Sequence, residues 1–169
     1  MSGGFDKIAK VLFTEGEQMK SLLQQELIAQ DHIASGKLHD SFKVEFNVFG
    51  SAIHLSITNS AGYAIAVDEG LSSGTLVGIT KLIKWVKDKQ ARGKMLPFDN
   101  EIAITIAQRV QDSIMAGGTT SPKGFIGNAM DTARKIGMFE RIAAATGLEV
   151  DALLGQSEID DTITITATI

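Results

Sequence analysis

Apolar residues recur at three- and four-residue spacing from the start of the chain, at Phe5, Ile8, Leu12, Met19, Leu22, Leu23 and Leu27. That period predicts a helix from Phe5 to about Ile33. At about 1.5 Å of rise per residue it would be roughly 40 Å long, which is long for a small domain. Two readings follow: a core helix with a protruding start, or an arm that touches a neighbouring subunit. Gly16 interrupts the stripe and marks a bend or a close packing contact. The segment from Ala34 to Leu38 ends the helix, with Gly36 suited to a left-handed cap.

The period then changes to two. Phe42, Val44 and Phe46 alternate with Lys43, Glu45 and Asn47. After a turn at Phe49-Gly50-Ser51, Ile53, Leu55 and Ile57 alternate with His54, Ser56 and Thr58. This predicts a β-hairpin with one buried face. A third apolar run, Tyr63 to Val67, is expected to continue the sheet and stop at Asp68-Glu69-Gly70. Leu71 to Gly78 reads as a loop. A helix follows from Thr80 to Ala91, with Leu82, Ile83 and Val86 on one face and Trp85 beside it. Gly93 ends it and Pro97 forbids its continuation. Asp99 is placed to cap a helix from Asn100 to Met115, striped by Ile102, Ile106, Val110 and Ile114. Beyond a connector from Gly117 to Pro122, helical pattern returns from Phe125 to about Ala145, with Gly137 as its weak point. A shorter helix is predicted over Val150 to Leu154.

The chain closes on Ile163, Ile165, Ala167 and Ile169 alternating with Thr162, Thr164, Thr166 and Thr168. This β-branched run favours a pleated strand, yet no hairpin partner lies nearby in sequence. It either returns to its own sheet, adds to a neighbour's exposed edge, or is a tail that orders on assembly. If it serves a neighbour, deleting Ile163 to Ile169 weakens association more than folding. The element order predicts an α+β fold: a small antiparallel sheet packed by a long N-terminal helix and C-terminal helices, with a C-terminal strand or arm. The expected division is a domain over 1–155, carrying a helical insert at 79–116, and a β-arm over 156–169.

Composition narrows the function. The 169 residues are 44% hydrophobic and 21% charged, an ordinary globular balance. A chain of this size buries roughly 70% of its unfolded surface, so a core needs no metal or disulfide. There is no cysteine, which removes thiol nucleophiles and thiolate zinc sites and fits a reducing compartment. The formal net charge of -4 argues against a dedicated DNA-gripping domain, though a mildly acidic wall suits a DNA conduit. No apolar run resembling a signal peptide follows the start, and no stretch approaches the ~18 apolar residues of a membrane span. A soluble chain made in a cytoplasm, with no membrane contact, is expected.

Catalytic patterns are missing. His32, His39 and His54 lack partners at ligand or acid–base spacing and read as surface or capping residues. Asp68 and Glu69, adjacent at an apparent strand end, should point to opposite faces and serve a turn or interface. Asp160-Asp161 read as a solvated linker. No nucleophile elbow, phosphate loop or dinucleotide fingerprint occurs. No catalytic residue, metal or cofactor is therefore expected. One basic cluster stands out: Lys81, Lys84, Lys87, Lys89, Arg92 and Lys94, against the single acid Asp88. It is either a solvated helix face or a patch facing passing DNA or an acidic partner ring. Trp85 alone is no stacking platform for single strands.

Three segments resemble the tail-completion or neck protein family of long-tailed bacteriophages. Ser35-Gly36-Lys37-Leu38-His39-Asp40-Ser41-Phe42 is similar to that family's small-Gly-basic-Leu-x-x-Ser approach to its first strand. Gly62-Tyr63-Ala64-Ile65-Ala66-Val67-Asp68-Glu69-Gly70 resembles its Tyr-Ala-x-x-Val-x-x-Gly strand. Pro122-Lys123-Gly124-Phe125-Ile126-Gly127-Asn128-Ala129 is similar to the Pro-x-x-Phe-x-x-x-Ala that opens its final helix. Their order matches, over about residues 5 to 145. The basic insert is seen in some members only, and the threonine–isoleucine tail lies outside the pattern. The resemblance implies a structural virion protein: a homo-oligomeric ring, a hexamer, at the neck, assembled in the bacterial cytoplasm. Its partners would be further copies, the head connector, tail terminator or tail-tube proteins, and transiently the genome in the lumen. Tyr63, Asp68, Glu69 and Phe125 are then candidate interface residues, together with Ile163, Ile165 and Ile169 from the tail. A tail-terminator ring is the allied alternative. A DNA-binding regulator using the basic helix is the contrasting one, and a hydrolase is disfavoured for want of an acid–base pair.

Overall fold

A computed structural model of the chain describes residues 2–32, 35–49, 52–61, 64–120, 124–147 and 162–168. In chain order the elements are α1 (Ser2–Ala29), α2 (Lys37–Asp40), β1 (Phe42–Phe49), β2 (Ala52–Asn59), α3 (Ala64–Asp68) and β3 (Gly70–Leu71). They continue with α4 (Ile79–Ala91), α5 (Asn100–Gly117), β4 (Thr119–Thr120), α6 (Phe125–Lys135), α7 (Met138–Thr146) and β5 (Thr162–Thr168). The fold is α+β, with a long first helix and a small antiparallel sheet ordered β1-β2-β5.

The predicted hairpin forms with Val44 opposite Ile57 and Phe46 opposite Leu55. Ile53, Leu55 and Ile57 turn one face inward, α1 lies across it, and α6 and α7 pack in turn against α1 in the same core. Leu12, Met19, Leu23 and Leu27 on α1 are fully or almost fully buried, at 0–1% exposure. Each such side chain contributes about 1.5–3 kcal/mol by leaving water. Gly16 is a packing contact rather than a bend: a Cβ there would lie 2.8 Å from Leu55 Cδ1 and 2.9 Å from Val44 Cγ1. The absent side chain lets α1 lie close on the sheet. At Gly137, with φ 70°, the helical run from Phe125 breaks into α6 and α7.

The segment Ala64–Asp68 is helical, not the third strand that the pattern predicted. A five-residue apolar run carries too little period to separate the two, and here Ala64 packs into the core while Asp68 reaches α6. Tyr63 lies outside the described residues, as do the turn at Gly50-Ser51 and the helix predicted over Val150 to Leu154.

α4 and α5 form a hairpin with a second, separate apolar cluster of Leu82, Val86, Ala103 and Ala107. Of the expected stripe on α5, Ile106 and Val110 pack against this cluster and Ile114 is buried, whereas Ile102 stays 47% exposed and the buried Ala103 and Ala107 face α4 in its place. Asp99 does cap α5, its side chain accepting the Ile102 N–H at 2.9 Å. The two-stranded ladder β3–β4, Gly70 opposite Thr120, closes the base of this hairpin.

Candidate functional site

Three chain segments far apart in sequence meet around one core corner. Gly36, at φ 85°, turns the chain into α2, whose Leu38 is buried. Ser41 Oγ donates to Leu38 O at 2.8 Å and to Asn59 Oδ1 at 3.1 Å, which anchors the start of β1. Phe42 then meets Phe125 edge-to-face, with ring centroids 6.2 Å apart. From α3, Asp68 Oδ1 accepts the Ile126 N–H at 2.7 Å. The cap position of α6 is Gly124, which has no side chain to offer, so Asp68 supplies the missing acceptor from 58 residues away. A Cβ on Gly124 would collide with that carboxylate.

These contacts revise the expected interface set. Phe125 is fully enclosed, with 0% exposure, and has no surface to offer a partner. It is a core residue. Asp68 is committed to an internal cap, and because it ends a helix rather than a strand, the alternation expected of Asp68 and Glu69 does not apply. Glu69 is exposed.

The basic cluster divides. Lys89 is only 6% exposed and cannot face DNA. Its ammonium pairs with Asp31 Oδ2 at 3.0 Å, donates to the Asp31 carbonyl, and lies 5.8 Å from the Trp85 ring centroid. Lys94 reaches Asp31 Oδ1 at 3.2 Å, and Arg92 Nη2 donates to Ser35 O at 2.9 Å. These three cations clasp the insert to the segment that joins α1 to α2. Asp31 itself sits at φ 55°, a left-handed conformation that aspartate tolerates better than most side chains. Lys84 pairs with Asp88 at 2.9 Å. Lys81 and Lys87 are exposed and show no ion pair among the described residues.

Hydrogen bonds from Lys89 and then Lys94 hold the Asp31 carboxyl below its ordinary value of 3.8. A depressed folded-state pKa means the clasp contributes fully above that ordinary value and is lost as pH falls through the lower folded one. Acidification from neutral to below 3.8 is therefore expected to loosen α4 from the segment that joins α1 to α2 before the core unfolds. Trp85 emission followed against pH reads this directly, and Asp31→Asn should abolish the acid step. An unchanged step in that variant would assign it elsewhere. His32, next in the chain, is held below its usual value, first by burial and then by the Lys89 charge.

Sequence reasoning missed a second long-range pair. Glu15 on α1 is 5% exposed and takes a two-pronged contact from Arg141 on α7: Nε at 2.6 Å and Nη2 at 2.8 Å. Arg141 Nη1 also donates to Ile136 O at 2.6 Å, tying α7 to the break before it. With 126 residues between them, no local spacing could have announced the pair.

The C-terminal strand β5 runs antiparallel to β2, Ile163 opposite Ile57 and Ile165 opposite Leu55. Of the readings left open, the chain adopts the return to its own sheet. Ile169 lies outside the described residues. Deleting the tail would strip the edge of β2 as well, so that truncation no longer separates association from folding.

Among the described residues no group of three or more His, Asp or Glu is placed to hold a metal ion. No helix among them is long and apolar enough to cross a membrane. Neither protein-family models, nor curated proteins, nor solved structures yield a match to this chain.

Proposed function

We propose that this chain is a structural subunit of the head–tail junction of a tailed bacteriophage, and that it acts by assembling into a ring. The reading rests on one observation above all. The three segments that resemble the neck family come together in space, through the Phe42–Phe125 ring contact and the Asp68 cap on α6. Residues shared for a fold should converge in this way. In this role no bond is made or broken. Copies meet by heterologous contacts, one face of a subunit against the opposite face of the next, and close around a lumen for the genome. The positions left for such contacts include the exposed Glu69 and the outer edges of β1 and β5, which pair with no further strand among the described residues.

Electron microscopy and native mass spectrometry test the ring. Closed oligomers, alone or on supplied phage tails, are expected, and monomers under both conditions would overturn the proposal. Loss of the gene separates the two neck roles: normal-length tails that fail to join heads indicate completion, and overlong tails indicate a terminator.

A further inference from the structure

Between the insert and the body runs an open cleft of about 700 Å³. Its floor is apolar: Leu38, Val67 and Leu71 from the body, Leu82, Trp85 and Val110 from the insert. Its rim is cationic, with Lys37, Lys81 and Lys84 against the single acid Asp88. Lys84 is already engaged by Asp88, which leaves Lys37 and Lys81, one on each wall and both exposed. On a chain of net charge -4, a locally positive rim around an apolar floor is a departure from the average surface.

We infer that this cleft docks an acidic amphipathic helix from a partner protein. An apolar helix face would fill the floor, and its flanking carboxylates would meet Lys37 and Lys81. Apolar centre with charged rim is the anatomy of a protein interface. A helix lying in such a groove is read through side chains at three- and four-residue spacing. A small-molecule site would instead converge a few polar groups on an enclosed ligand, and here the cations stand on the open margin. Nucleic acid is disfavoured because Lys89 and Lys94 are spent on Asp31, and Trp85 is the only tryptophan, too little for stacking. The cleft lies within one subunit, so the inference stands apart from the ring.

The single tryptophan makes the test direct. Trp85 emission in the full chain is titrated with a synthetic helix carrying leucine at one face and glutamate elsewhere, and with its lysine counterpart. The glutamate helix is expected to shift the emission saturably, more strongly at low salt, and the lysine helix to leave it unchanged. The double variant Lys37→Glu, Lys81→Glu should weaken binding by about tenfold or more, with its circular dichroism unaltered because both positions are on the surface. No response to the glutamate helix, equal response to both helices, or unaltered affinity in the variant would overturn the inference. So would a shift produced by laurate or by a single-stranded oligonucleotide in place of the peptide.

Discussion

Phe125→Ala is expected to cost about 3–5 kcal/mol of folding stability, the usual range for truncating an enclosed phenylalanine. The ring is fully buried, so both terms of that cost apply: the lost transfer of its atoms and the void they leave. The void opens where α6 meets the start of β1, and it removes the edge-to-face contact with Phe42. Since small domains are stable by only about 5–15 kcal/mol, the variant should be visibly compromised. Urea unfolding would show a lowered midpoint at an unchanged slope. Phe125→Leu, which keeps most of the volume, should lose clearly less. A stable Phe125→Ala monomer that fails only in assembly would return this residue to the interface.

The second large effect is expected at Arg141. Removing one partner of a buried ion pair strands the other charge, at a typical cost of about 3–5 kcal/mol. Arg141 has a side chain 43% exposed, so water can partly replace it, and about 2–3 kcal/mol is a better figure for Arg141→Met. The same change frees Ile136 O at the junction of α6 and α7. The double variant Glu15→Leu, Arg141→Met should recover most of the loss, because no uncompensated carboxylate remains under α7. A double-mutant cycle in urea checks this. Additive losses would mean that the two side chains do not depend on each other.

What could be read from the chain divides along physical lines. The hairpin and α1 were legible because burial of one face imposes a period, two in the strands and near 3.6 in the helix. Ala64–Asp68 was misread because its run is too short to show either period. The tail was recognisable as a strand from its β-branched alternation, but its pairing with β2 was not, since backbone ladders leave no mark on which edge they join. The candidate surface was harder still. Lys89 looks like its neighbours in sequence, and only Asp31, 58 positions away, separates a buried clasp from a solvated face. Phe125 stands out in the sequence as a large aromatic at the start of a helix, but no local pattern says whether such a ring fills its own core or meets a neighbour, and here it fills the core. The order of the three motifs was visible; their convergence required the fold.

One feature of the architecture bears on how such a chain can change. The α4–α5 hairpin leaves the body at Leu71 and returns at Thr119, and these two residues face each other in the β3–β4 ladder. Its apolar cluster is its own. A module whose two ends coincide, and which completes its own interior, can be excised or exchanged for a short loop without dismantling what it is attached to. The cationic wall of the cleft would then be a graft, one that lineages could acquire, swap or discard while the scaffold beneath stayed the same.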